Sequence, residues 1–230
     1  PVFLVVGILL SMLAAGMVVP AIVDAVAGNA GWRVFIVSAG VTLFVGVSMA
    51  LTSRTTTGRL SVRQAFLMVT LSWVALTVFA SLPFAFSSLD MSFTDAFFEA
   101  MSGITTTGST VITNLDYAPP GILMWRALLQ WLGGIGIIVM AIAIFPLLGV
   151  GGMQLFRMES SDPSEKVLPR AAQIAGAIGL IYLALTIIWA LAYFGAGMNG
   201  FDAVAHSMTT IATGGFSTSD ASLGHYDSAL

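Results

Sequence analysis

Two stretches, ITTTGS (104–109) and TTIATGGFS (209–217), place hydroxyls and glycines inside an otherwise apolar chain. Their chemistry is that of the backbone. Consecutive carbonyls facing a watery cavity can replace the hydration shell of a cation. Glycine reaches positive φ, which lets successive carbonyls aim at one axis. Threonine adds a hydroxyl that ligates or anchors the loop. Neither TTTGS nor IATGG holds a carboxylate, so the pattern suits a weakly hydrated monovalent cation better than Ca²⁺ or Mg²⁺. One such stretch reads equally well as a helix C-cap with glycine in the left-handed position. Two, each after a half-length helix, are harder to explain as caps alone.

Other reactive constellations are sparse. The chain has no cysteine and two histidines, which removes disulfides and cysteine-based metal or nucleophile sites. His206 stands without an HExxH pattern or other ligand partners and reads as a packed, hydrogen-bonded histidine. Gly133, Gly134 and Gly136 allow close helix approach and are not a phosphate loop, because no strand precedes them. No spanning carboxylate pair or nucleophile–base pair is present, so an intramembrane enzyme is not expected. Arg126 reads as snorkelling to the outer interface or pairing with Asp116 or Glu99. Glu99 could focus cations in a vestibule or be held by Arg126, and Asp24 reads as interfacial.

The elements that must position these residues follow from composition. The chain is 57% hydrophobic and 8% charged over 230 residues, against roughly 25% charged in soluble domains. This is a membrane composition, and lipid is the expected environment. The formal charge of −3, with no basic patch, gives no reason to expect nucleic acid. A spanning helix needs about 20 mostly apolar residues, and five runs qualify: Val2–Ala27, Trp32–Leu51, Gln64–Phe86, Gly121–Leu148 and Ala171–Gly197. Two pieces, Phe93–Ser102 and Phe201–Met208, are too short to cross. The first apolar run continues for a full span, so it is not a signal peptide. The start at Pro1, already inside that run, suggests a trimmed N-terminus.

Six of the eight Lys and Arg residues lie in 52–63 and 149–170, whereas 87–120 and 198–230 hold none. Cytoplasmic loops carry the excess of Lys and Arg. Both Thr/Gly stretches are therefore expected outside, with the N-terminus inside. Long helix, short helix and Thr/Gly loop occur at 64–110 and again at 171–217. Thr107-Gly108 is paired with Thr213-Gly214, which leaves Asp95-Ala96 and Asp202-Ala203 one residue out of step. The organisation expected is an N-terminal helix pair and cytoplasmic loop (1–63), a first helix–pore loop–helix unit (64–148), a cytoplasmic loop (149–170), and a second unit without its last helix (171–230). A re-entrant segment facing lipid would expose unpaired backbone groups, so the chain is expected to be a fragment of something longer.

FEAMSGITTTGSTVI, MWRALLQWLGGIGIIVMAIAIFPLLGVGGMQLFRMESS and HSMTTIATGGFSTSDASL together resemble the membrane subunit of Trk/Ktr-type bacterial potassium uptake systems, over essentially all of 64–230. The extra helix pair before the first unit resembles the TrkH branch rather than the shorter KtrB. The resemblance implies an all-α membrane protein of tandem helix–pore loop–helix units around a pseudo-fourfold pore, here truncated. It implies K⁺ as the transported ion, no other cofactor, and a multi-pass protein of the bacterial inner membrane. It also implies a homodimer and a cytoplasmic nucleotide-binding ring of the TrkA type, for which MESSDPSEK (158–166) is the natural surface. The filter residues it implies are Thr106, Thr107, Gly108 and Ser109 in unit one, and Ala212, Thr213, Gly214 and Gly215 in unit two. The alternative is a secondary transporter of a small solute, or a Na⁺-coupled symporter, built on broken helices. Such proteins usually carry inverted repeats, whereas these units run in the same direction.

Overall fold

The computed structural model of the chain describes residues 2–53, 62–148 and 167–226, with backbone only at 62, 139–148 and 167–172. Among the described residues the regular structure is helical: α1 (Val2–Gly16), α2 (Val18–Val26), α3 (Trp32–Thr52), α4 (Val62–Ala80), α5 (Leu82–Ala85), α6 (Phe93–Ile104), α7 (Pro120–Leu148), α8 (Val167–Gly195) and α9 (Gly200–Ile211), with 3₁₀ turns at Leu115–Tyr117 and Ser222–His225. Five segments are long and apolar enough to cross a membrane: Val2–Val26, Trp32–Thr52, Arg63–Ala85, Pro120–Ile138 and Gln173–Gly195. They coincide with the five runs expected from the sequence. Most of the two basic loops, including MESSDPSEK, lies outside the described residues, so their side of the membrane rests on sequence alone.

Proline sets the breaks inside two spans. Pro20 and Pro83 have no N–H to give the preceding turn, and the helix is interrupted at Met17 and at Ser81. At the second break the Ala80 carbonyl accepts a hydrogen bond from Trp125 Nε1 at 3.0 Å, which ties α4 to α7. Small residues set the close approaches. Gly7 and Gly46 face one another across α1 and α3, where a Cβ on Gly7 would come 2.6 Å from the Gly46 carbonyl. Both backbones meet there because neither residue has a side chain.

The short helices α6 and α9 are each 12 residues long, about 18 Å. Each begins with the same device. Ser92 Oγ accepts from the Asp95 amide, and Asn199 Oδ1 accepts from the Asp202 amide. The carboxylates of Asp95 and Asp202 accept in turn from Ser92 Oγ and Asn199 Nδ2. These reciprocal caps satisfy orphan donors at the first turn, and the acids sit at the positive end of the helix dipole.

Helix α7 is the strut between the repeats. Its start lies beside the end of α4 (Trp125 to Ala80) and the end of α2, where Gly121 N donates to Asp24 Oδ1 at 2.7 Å. The segment between α5 and α7 therefore leaves and returns on one side. The far end of α6 is nowhere near that side. The Ile104 carbonyl lies directly against Gly133, and Ala212, at the end of α9, lies against Gly134. Gly133 is thirteen residues into α7, about 20 Å along its axis. Against a hydrocarbon core of about 30 Å, both short helices end deep inside the span. Gly136 has open space where its side chain would be, so the close approach expected of all three glycines holds for Gly133 and Gly134 only.

Candidate functional site: two matched re-entrant loops

Beyond α6 and α9 the chain follows one path twice. The amides of Thr106 and Thr107 donate to the carbonyls of Gly103 and Ser102, and those of Thr213 and Gly214 donate to Thr210 and Thr209. This is a doubly bonded helix C-cap, and its left-handed residue is normally glycine. Here the position is held by threonine, with φ 57° at Thr106 and 54° at Thr213. A second left-handed residue follows two positions later, and there glycine is used: Gly108 at φ 82° and Gly215 at φ 81°. The cap explanation thus accounts for the threonine and not for the glycine.

This path also corrects the register of the repeat. Ser92 and Asn199, Asp95 and Asp202, Glu99 and His206, Thr106 and Thr213, Gly108 and Gly215, and Thr110 and Ser217 are each 107 positions apart. The helices and loops are in step throughout. The Thr-Gly dipeptides misled because loop two has two glycines, and it is the second that adopts positive φ. Thr107 corresponds to Gly214, Ser109 to Phe216, and Thr105 to Ala212, which is the helix-terminating residue of α9.

The loops meet each other. Gly108 lies against the Gly214 carbonyl so closely that no Cβ fits. Among the described residues, no hydrogen bond is accepted by the carbonyls of Thr106, Thr107, Thr213 or Gly214. The Ser109 carbonyl, in contrast, accepts from Ser102 Oγ at 2.5 Å. Loop two borders a cavity of about 290 Å³, lined in part by Thr213, Gly214, Gly215 and His206.

A buried polar frame holds the loops from behind. Arg126 is buried, and its Nε donates to Glu99 Oε1 at 2.8 Å. Its Nη1 donates to the Ser217 carbonyl at 2.8 Å, and its guanidinium lies 4.1 Å from the Phe216 ring centroid. One side chain of α7 therefore grips both repeats. This overturns the snorkelling reading of Arg126, because the Glu99 carboxylate gives the cation a buried partner. Glu99 also accepts from the Thr110 hydroxyl and the Val111 amide, which leaves it a strut rather than a free vestibule charge.

His206 occupies the equivalent place in repeat two, and it is packed and hydrogen-bonded as expected. Its Nδ1 lies 2.9 Å from the Asp202 carbonyl, which can only accept, so Nδ1 donates there, and Nε2 lies 3.1 Å from Ser217 Oγ. Thr218 Oγ1 donates to Asp202 Oδ1 at 2.7 Å. Asp24 lies near the end of the first span, as expected of an interfacial residue, and is buried there against the start of α7, accepting from the Gly121 amide.

The residue that sequence reasoning missed is Gln130. It is fully buried, and its Oε1 accepts from the Phe216 amide at 3.1 Å. The amide plane packs on the bare Cα of Gly214. The available signal was its spacing. Arg126, Gln130, Gly133 and Gly134 fall on one face of α7, and that face receives both repeats.

Together these features define a multi-pass membrane protein, helical among its described residues, in which two matched loops following half-length helices touch at Gly108 and Gly214. Residues 32–230 match the TrkH family, described as a cation transport protein, and the chain belongs to that family. It is 47% identical over 228 residues to the Trk system potassium uptake protein TrkH of Halomonas elongata, covering 98% of this chain and 47% of that protein. It is 46% identical over 227 residues to the protein of the same name from Escherichia coli K12, covering 97% and 47%. The crystal structure of the potassium transporter TrkH from Vibrio parahaemolyticus superposes with a TM-score of 0.87 at 44% identity, covering 99% of this chain and 46% of that one. The chain spans about half the length of the curated relatives it matches.

Proposed function

We propose that the chain is part of the pore-forming subunit of a potassium uptake system of the bacterial inner membrane, and that its two loops line the ion path. The proposed filter residues are Thr106, Thr107, Gly108 and Ser109, with Ala212, Thr213, Gly214 and Gly215. By the repeat register, Phe216 is the counterpart of Ser109. The units are 64–148 and 171–230, preceded by the helix pair of 1–63 and separated by the cytoplasmic loop 149–170.

The observation that carries this reading is the paired backbone path. Two loops deep in the span repeat the same left-handed threonine and left-handed glycine, touch at Gly108 and Gly214, and keep four carbonyls out of the internal hydrogen-bond network. In hydrocarbon an unpaired carbonyl is strongly unfavourable unless it lines a watery cavity. A cation supplies the partner such carbonyls lack. The ion is K⁺ by the relatives' names, and a site of neutral oxygens fits a monovalent ion. The same relatives are named as parts of a Trk system, which supports a further Trk component such as TrkA as partner. That this partner is a cytoplasmic nucleotide-binding ring, and that the subunit is a homodimer, rest on the sequence resemblance alone. A solute symporter is less well supported, because the repeats run in the same direction.

The test is ⁸⁶Rb⁺ uptake by the full-length protein in cells lacking other K⁺ uptake. Saturable uptake competed by K⁺ is expected. A protein that reaches the membrane and moves no Rb⁺ or K⁺ would refute the reading.

A further inference from the structure

A second polar site lies away from the loops, at the seam between the N-terminal helices and the first unit. Asp24 is wholly buried there. Its Oδ1 accepts from the Gly121 amide at 2.7 Å and closes the first turn of α7 from 97 residues away. Its Oδ2 has no hydrogen-bond partner. Two glycines make room for this carboxylate, since a Cβ on Gly31 or on Gly121 would stand 2.5 Å from Oδ2. Among the described residues, no Lys, Arg or His side chain is ion-paired with Asp24.

A cavity of about 250 Å³ opens beside it, lined in part by Asn29, Gly31, Ser87, Ser88 and Pro119. A buried carboxylate facing a cavity without a cationic partner is strongly unfavourable. The other polar side chains lining it are neutral: the Asn29 amide, whose oxygen also accepts from the Gly31 amide, the Ser88 hydroxyl, and the Ser87 hydroxyl, which donates to the Phe84 carbonyl, accepts from the Leu89 amide and keeps one lone pair for a ligand. One negative charge among neutral oxygens matches a monovalent cation; Ca²⁺ calls for more oxygen ligands and usually more carboxylates. The volume holds such an ion with several waters, at about 30 Å³ each.

We propose that the Asp24 cavity, away from the Thr/Gly loops, binds a monovalent metal cation, and that the bound ion fastens α2 and α3 to the start of α7. This does not rest on the reading of the Thr/Gly loops.

The experiment uses the purified full-length protein and follows thermal unfolding by tryptophan fluorescence. LiCl, NaCl or KCl is titrated against choline chloride at constant ionic strength. Asp24→Asn keeps an acceptor for the Gly121 amide and removes the charge. Cation sites in the ion path remain in both proteins, so the difference between them is what is read. We expect a saturable rise of several °C with one of the alkali cations that is missing in Asp24→Asn, while Asp24→Asn in choline melts at or above the wild type. An identical cation-dependent rise in both proteins overturns the proposal. So does a rise on acidification in choline that Asp24→Asn abolishes with no alkali-cation component, because the carboxyl then simply carries a proton. Should Asp24→Asn not be recovered, Ser87→Ala is expected to raise the half-saturating cation concentration at least threefold, and an unchanged value overturns the proposal.

Discussion

The Cα of Gly108 rests against the carbonyl oxygen of Gly214, so the two loops meet backbone to backbone. Helix α7 fixes that meeting. Arg126 grips Glu99 and the Ser217 carbonyl, Gln130 holds the Phe216 amide, and Gly133 and Gly134 receive the ends of the two short helices. A change at any of these positions alters the relation between the loops.

Gly108→Ser places a Cβ against a backbone carbonyl that cannot swing away, at a φ of 82°. The left-handed conformation alone costs about 1–2 kcal/mol with a Cβ. The loops must move apart, while the spanning helices keep their packing. Rb⁺ uptake is expected to lose discrimination against Na⁺, with membrane abundance within about twofold of wild type. Unchanged uptake and Na⁺ sensitivity would refute a filter role for Gly108.

Thr213→Gly tests the strained threonine. A β-branched residue at φ 54° stores about 1–2 kcal/mol that glycine releases. The variant is expected to unfold at the same or a higher temperature than wild type and to discriminate less between K⁺ and Na⁺, because glycine no longer fixes the path into Gly214 and Gly215. A stability loss above about 1 kcal/mol would show that the threonine side chain stabilises the loop by more than its strain costs.

The spans were legible in the sequence because lipid demands long apolar runs, and five such runs became five helices. The half-length helices were legible too, although each runs one turn or less beyond its expected end. The repeat register was not, because Thr-Gly is a two-letter match and the backbone decides which residue turns left-handed. The caps at Ser92-x-x-Asp95 and Asn199-x-x-Asp202 held the right register and were the better guide. For Arg126 the pairing with Glu99, one of the two readings, held and the snorkelling did not; for Asp24 the depth was legible, but the Gly121 amide that meets it from 97 residues away was not.

Gln130→Leu removes the acceptor of the Phe216 amide and leaves that donor buried without a partner, at a cost of about 1–3 kcal/mol. The expected readout is a changed Rb⁺/Na⁺ preference at near-normal abundance. Gln130→Met, of similar length, should behave like Gln130→Leu, because shape without an acceptor does not replace the bond. Wild-type selectivity in both variants would show that loop two is held without Gln130.

Gly133 and Gly136 lie on the same helix and predict opposite outcomes. A Cβ on Gly133 meets the Ile104 carbonyl, and one on Gly136 meets nothing within 4 Å. Gly133→Ala is expected to lower thermal stability and Rb⁺ uptake together, by pushing α6 off α7. Gly136→Ala is expected to be neutral or stabilising by up to about 1 kcal/mol, since alanine is the better helix former. Equal effects would place the contact elsewhere.

The Glu99–Arg126 pair gives the most direct test of how the repeats are joined. Both side chains are buried, and the Nε–Oε1 distance is 2.8 Å. Removing one partner of a buried pair leaves the other uncompensated, at about 3–5 kcal/mol, whereas replacing both with neutral groups of similar volume often costs little. Arg126→Met should be the worse single change. It strands the Glu99 charge and also frees the Ser217 carbonyl, severing the link to repeat two. Glu99→Gln keeps one acceptor oxygen, loses the charge and the second acceptor, and leaves Arg126 without its counter-charge. The double variant is expected to recover a large part of the stability lost in Arg126→Met, because no buried charge remains. It should not recover ion selectivity, because methionine cannot hold the Ser217 carbonyl. Thermal unfolding and Rb⁺/Na⁺ competition on the same four proteins separate the two effects. Recovery of both would mean that Arg126 matters only as the counter-charge of Glu99, and recovery of neither would mean that the pair is not what stabilises this face of α7.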